Sequence, residues 1–185
     1  AQPGLFIFEY ALARLYMSWG FEPDAMVGHS IGEFVAACLA GVFTFEEGCR
    51  LVAERARAMQ AMPPGAMLAV RLPEAELRAE LGEALDLAAV NAPSLCVAAG
   101  PKVEIEALNA RLSARGVMCR PLAVSHAFHS RSLDPALPEI ERAAAGVALQ
   151  APRRASPAAG PPQRRRPTRN TGRATAAIRC ASPMP

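Results

Sequence analysis

The stretch VGHSIGEF, residues 27–34, sets a serine between two glycines, with a histidine before it, where a short apolar run gives way to a longer apolar pattern. G-x-S-x-G is the pattern of a nucleophile elbow, a sharp strand-to-helix turn that exposes a serine hydroxyl. That reading needs a strand before Ser30 and a helix after it. Residues 25–27 read as a buried strand and residues 31–39 as an apolar helix closed by Gly41, so the context is the required one.

Working outward, Leu5, Phe8, Leu12, Leu15, Tyr16 and Trp19 fall at three-and-four spacing. They predict a helix over residues 3–19 with one buried face, stopped by Gly20. Thr44 with Glu47 three residues later is a capping-box pattern. It opens a helix that runs to about Met62 and ends at Pro63 and Pro64. Arg55 lies four residues after Leu51 and four before Met59, on the inward face of that helix. A cation there needs a partner, and snorkelling or capping of a helix end is the plain alternative to ligand binding.

From Ala66 the period changes. MLAVRL reads as a strand, residues 73–81 as a helix, LDLAAVN and LCVAAG as two strands joined near Pro93, residues 103–115 as a helix and VMCRPLAV as a last strand. This β-α-β-β-α-β order is the split pattern of a ferredoxin-like unit, and the fold class is α/β.

The 185-residue chain is 51% hydrophobic, enough to bury a core. Its charge is unevenly placed: residues 1–150 hold 12 Lys and Arg against 17 Asp and Glu, and residues 151–185 hold eight Arg and no acid. That last stretch also carries seven prolines, so it reads as a disordered tail or as a wrong-frame translation of a GC-rich coding sequence. A nucleic-acid-binding arm is disfavoured by the lack of interleaved aromatics. Five scattered cysteines without C-x-x-C spacing argue against zinc and against a disulfide framework, and they fit a reducing cytoplasm. No apolar run approaches the ~20 residues that a membrane span needs, so a soluble protein is expected.

Serine requires a base to take its proton, and the chain has three histidines: His29, His126 and His129. His29 adjoins Ser30 around a tight turn, where neighbours point apart. The pair in SHAFHS follows the last predicted strand, from which a loop can return an imidazole to the elbow; triad partners meet in space and not in order. The backbone N–H of Ile31, at the positive end of the following helix, is placed to donate to an oxyanion. H-x-x-H without a third ligand is a weak metal pattern, and no metal is expected.

In order along the chain, GHSIGE (28–33), RARAMQ (55–60), VNAPSLCVAAG (90–100) and HAFHS (126–130) resemble one acyltransferase family. It is the family that includes malonyl-CoA:acyl carrier protein transacylases. The resemblance is most specific to the acyltransferase domains of modular type I polyketide synthases, over about residues 2–150. It implies an α/β-hydrolase-like core with an inserted ferredoxin-like subdomain. The divisions are a core segment over residues 1–62, the subdomain over 63–124, a return to the core over 125–150, and the Arg/Pro-rich tail over 151–185.

The resemblance further implies Ser30 as nucleophile, His129 as general base and Arg55 as the residue that holds the free carboxylate of the malonyl group. His29 and Asn91 match positions beside the pocket. Phe128 stands where methylmalonyl-selective relatives carry a small residue, which implies a preference for malonyl, as does Ile31. The implied cycle takes malonyl from malonyl-CoA to Ser30 and then to the phosphopantetheine thiol of an acyl carrier protein, with no bound cofactor. Neighbouring synthase domains such as a ketosynthase are the expected partners, with neither nucleic acid nor membrane. The family's Gly-Gln-Gly segment is expected before residue 1 and its SN-TG region after residue 150, so the chain reads as a fragment. The alternatives are an inactive fragment or interaction module, and a serine hydrolase; a hydrolase has little use for Arg55, and the sequence shows neither its HGGG loop nor a convincing Ser, acid, His order.

Overall fold

The computed structural model describes residues 1–153. The reading of the arginine- and proline-rich stretch falls almost wholly on residues 154–185, outside the described residues. The described residues divide into two compact units, Ala1–Arg57 together with 138–153, and Ala58–Leu137. Residues 125–137 therefore group with the second unit. The structure is mixed α/β with one small antiparallel sheet.

The first unit is helical in its described part. Helices α1 (Gln2–Ser18), α2 (Ile31–Leu39) and α3 (Phe45–Gln60) contribute to it, with α6 (Leu137–Ala145). Its core joins Phe6, Ile31, Phe34, Val35, Cys38, Phe43, Leu51, Val52, Ala144 and Val147. The capping box forms as its pattern predicts: Thr44 N–H donates to Glu47 Oε2 at 2.8 Å and Glu47 N–H to Thr44 Oγ1 at 3.2 Å.

Helix α1 forms where the spacing predicts, but the buried face differs. Leu5, Phe8, Leu12, Leu15, Tyr16 and Trp19 are all exposed, and Phe6 is the buried residue of the helix. The segment is apolar on more than one side, so periodicity alone selects the wrong stripe. Phe6 and Tyr10, one turn apart, both stack on Phe45, at 5.9 and 4.5 Å between ring centroids. Gly48 makes room for this, since a Cβ there would lie 2.6 Å from Phe6 Cζ. Residues 25–27 do not form the expected strand. A strand needs a hydrogen-bonding neighbour. All four strands among the described residues lie between Ala66 and Pro121, and Val27 is 77% exposed.

The second unit holds strands β1 (Ala66–Val70), β2 (Asp86–Ala92), β3 (Leu95–Gly100) and β4 (Cys119–Pro121), with helices α4 (Glu74–Leu81) and α5 (Lys102–Ala114). The strand order is β2-β3-β1-β4, all antiparallel, with Ala66 opposite Gly100 and Leu68 opposite Pro121. Successive β1 side chains serve two clusters, as strand alternation requires. Leu68 and Val70 pack with Leu77 of α4 and Ile105, Leu108 and Leu112 of α5. Met67 packs with Val97, Ala99 and Ala127. β4 is shorter than its apolar pattern predicts: Pro121 has no N–H to give, and the Val124 N–H turns back to Leu122 O.

Leu108 is fully buried and Leu15 is 45% exposed, although their sequence patterns rank them alike. Leu108→Ala is expected to cost about 2–5 kcal/mol in urea unfolding, and Leu15→Ala to stay within about 0.5 kcal/mol.

Candidate active site

The G-x-S-x-G turn lies in the helical unit, with a helix after Ser30 but no strand before it. Ser30 is the N-cap of α2 with φ 55° and ψ −112°, a backbone conformation natural to glycine and strained for serine. Its side chain makes no capping bond to the helix. The turn is closed by main chain instead: Gly32 N–H donates to His29 O and Glu33 N–H to Ser30 O, each at 3.1 Å. Ile31 N–H stands at the first helical position, where the helix dipole is positive. The two glycines of the motif differ. A Cβ on Gly28 would fall 2.1 Å from Glu33 N and 2.2 Å from Gly32 C, whereas one on Gly32 meets nothing nearer than Glu9 Oε2 at 3.5 Å.

Arg55 is 2% exposed on α3 and is turned inward, as its spacing predicts. Its guanidinium carbon lies 5.6 Å from the ring centroid of Phe34, on the elbow helix, which is cation–π distance. Its NH1 donates to Gln2 Oε1 of α1. Both contacts come from residues that no local pattern singles out, because Gln2 and Phe34 are remote from Arg55 in the chain. His29 is exposed and lines an open cleft of about 490 Å3 with Glu9, Val27, Gly28 and the Val35 and Leu39 side of α2.

The sheet unit carries the other candidates. His126 is buried; its Nε2 donates to Met62 O at 3.2 Å, since a carbonyl can only accept, and Nδ1 then accepts from the Ser125 hydroxyl at 2.8 Å. Both ring nitrogens of the first histidine in HAFH are thus engaged in holding the loop. His129 has φ 58°. Among the described residues that are not glycine, Ser30 and His129 have positive φ, and no other does. Phe128 is half-buried against Met67, Val97, Ala99 and Ala127, with its ring 6.2 Å from that of His126. Asn91 is exposed near the end of β2.

Ser130, Arg131 and Asp86 escape the sequence reading. Ser130 is fully buried and donates to Ala127 O at 2.7 Å. Arg131 is tied to Asp86 through both main chain and side chain.

The four described thiols are quiet. Burial, helped by the charges of Cys49 and Glu46, pushes the Cys38 thiol up to about 11, and burial likewise raises Cys49, Cys96 and Cys119. These four are unpaired thiols, held in the protonated, unreactive form near neutral pH. Among the described residues no group of three or more His, Cys, Asp or Glu is placed to hold a metal ion, and no helix is long and apolar enough to cross a membrane.

A family model described as "Acyl transferase domain" matches residues 1–172. Mycoketide-CoA synthase of Mycobacterium tuberculosis is 48% identical over 153 residues, which is 82% of this chain and 4% of that protein. The acyltransferase domain from the second module of the salinomycin polyketide synthase superposes with a TM-score of 0.85 at 40% identity, over 98% of this chain and 43% of that one. The malonyl CoA-acyl carrier protein transacylase of Coxiella burnetii superposes with a TM-score of 0.76 at 28% identity, over 84% of this chain and 52% of that one. The chain therefore spans a small part of the curated relatives and about half of the solved domains.

The unequal space at the two glycines gives a direct test of the elbow. Gly32→Ala is expected to be neutral or to stabilise by up to about 1 kcal/mol, because alanine is the better helix former. Gly28→Ala forces a side chain into the helix backbone and is expected to lower the thermal midpoint clearly. Equal shifts in thermal unfolding would contradict this geometry.

Proposed function

Because the chain belongs to the acyl transferase domain family, we propose that it carries the nucleophile, base and carboxylate-binding residue of an acyltransferase that loads malonyl units in a polyketide synthase. The observation that carries this reading is the positive φ shared by Ser30 and His129 alone among described non-glycine residues. Strain of this kind persists where the surroundings impose it, and it gathers at reacting groups. In the same reading the helical unit is part of an α/β-hydrolase-like core and the β2-β3-β1-β4 unit is its ferredoxin-like insert.

In the first half-reaction Ser30 Oγ attacks the thioester carbon of malonyl-CoA as His129 takes its proton. The carbonyl oxygen gains negative charge, which the Ile31 N–H stabilises. The C–S bond then breaks, and CoA leaves as a thiol with the proton returned by His129. In the second half the phosphopantetheine thiol of a carrier protein attacks the seryl ester, and Ser30 regains its proton. No cofactor is bound; malonyl-CoA is a substrate and phosphopantetheine belongs to the partner. A cytoplasmic site fits acyl-CoA substrates and unpaired thiols.

Arg55 grips the free carboxylate of malonate. Its burial strengthens that contact, and a guanidinium carries five N–H donors, so the bond to Gln2 is compatible with it. Phe128 fills the space of an α-methyl and favours malonyl over methylmalonyl by ~1–3 kcal/mol, with Ile31 contributing. His29 flanks the nucleophile in this reading, and Asn91 is carried over from the family's motif with no role assigned to it.

The test is the intact mass of the folded chain after brief exposure to malonyl-CoA, methylmalonyl-CoA or acetyl-CoA. The expected result is a malonyl adduct that is absent from Ser30→Ala and weaker with methylmalonyl-CoA. An adduct that persists on Ser30→Ala would overturn the reading. Arg55→Ala is expected to lower malonyl acylation by about 2–5 kcal/mol in transition-state binding, at least ~30-fold, with acetyl transfer spared. Since the chain spans 43% of the salinomycin domain, a second reading is a piece whose chemistry the rest of a domain completes. No adduct on folded protein would favour that second reading.

A further inference from the structure

His129 stands at a backbone angle that its side chain disfavours, so something beside it must hold the turn. Upstream, the Phe128 N–H donates to His126 O at 3.0 Å, and Ala127 is buried against Gly65, where an added Cβ would lie 2.7 Å away. Downstream, the Ser130 hydroxyl donates to Ala127 O and accepts from Ser132 N–H at 3.3 Å. These bonds close the loop on itself. They do not fasten its far side to the sheet.

That fastening comes from Asp86, the first residue of β2, whose neighbour across the ladder is Ala99 of β3. Asp86 Oδ2 accepts the main-chain N–H of Arg131 at 2.9 Å. Arg131 Nε donates to Oδ1 at 3.0 Å, and its NH2 donates to the same oxygen at 2.9 Å. The carboxylate side chain is 11% exposed and the guanidinium 59%. An exposed ion pair by itself contributes little. Here the same carboxylate also holds the backbone two residues after His129, so the guanidinium fixes the carboxylate and the carboxylate fixes the main chain.

We propose that Asp86 is a positioning residue for His129: anchored on β2 and braced by the Arg131 side chain, it holds the Arg131 main chain and so keeps the strained turn that aims the imidazole. The consequence for catalysis rests on His129 being the general base. A misplaced base slows the chemical step and leaves substrate binding intact.

The full chain tests this with Asp86→Ala, Asp86→Asn, Arg131→Ala and His129→Ala, read by NMR and by the rate of Ser30 acylation from malonyl-CoA. In Asp86→Ala the Arg131 amide is expected to lose exchange protection and the left-handed signature of His129 (HN–Hα coupling and Cα shift) to average out, with β1 and β3 resonances unmoved. Arg131→Ala keeps the main-chain bond and is expected to change less; Asp86→Asn keeps one acceptor and falls between. Acylation by Asp86→Ala is expected to fall about tenfold in kcat at unchanged KM, with no further loss when it is added to His129→Ala. A His129 signature that survives Asp86→Ala overturns the proposal, as does an unchanged kcat in a chain where His129→Ala is inactive. A fully active His129→Ala would remove the base and not the tie, because the His129 resonances report the tie without any turnover.

Discussion

The positive φ at Ser30 and His129 is the constraint on which the rest of the candidate site depends. For an L-residue a sparsely populated backbone conformation of this kind costs about 1–3 kcal/mol. It lasts only where neighbours leave no alternative. At Ser30 the neighbours are Gly28, whose missing Cβ lets the chain pass against Gly32 and Glu33, and the buried Ile31, Phe34 and Val35 beneath the following helix. At His129 they are the inward hydroxyl of Ser130, the engaged ring of His126 and the Asp86–Arg131 fork. Each of the two residues is held by parts of its own compact unit.

Around that constraint, apolar packing does the ordinary work of folding and also sets the electrostatics. The stack of Phe6, Tyr10 and Phe45 fixes α1 on α3, and Gln2 at the start of α1 reaches Arg55 on α3. Phe34 puts an aromatic face beside the same guanidinium. A buried cation is costly unless it is met by such partners. In the other unit the two faces of β1 separate the helix-covered core from the side on which Ala127 and Phe128 lie, so the histidine loop rests on the sheet rather than on a helix.

Much of this was legible in the residues and some was not. Capping boxes, proline stops and hairpin turns act over a few residues, so the Thr44–Glu47 box, the end of α3 and the β2–β3 turn can be read directly. The inward place of Arg55 on α3 is likewise legible, from its four-residue spacing to Leu51 and Met59. The buried stripe of α1 cannot be read that way, because a helix apolar on several sides does not say which side meets the core; Phe6 wins through Gly48 and Phe45. Nor can a strand be read at residues 25–27, because strand character is a property of a pair of segments. Asp86 and Arg131 lie 45 residues apart with no pattern joining them, and only the folded sheet brings them together.

Strain stored in the backbone at Ser30 is tested most directly by the thermal midpoints of Ser30→Gly and Ser30→Ala in the full chain. Both substitutions remove the hydroxyl; only glycine removes the conflict between side chain and backbone. Even after glycine's greater freedom in the unfolded chain is subtracted, Ser30→Gly is predicted to melt a few degrees above Ser30→Ala, which corresponds to about 1 kcal/mol in a chain of this size. A Ser30→Gly midpoint equal to or below that of Ser30→Ala would contradict the account, because the turn would then be one that any residue adopts at ease.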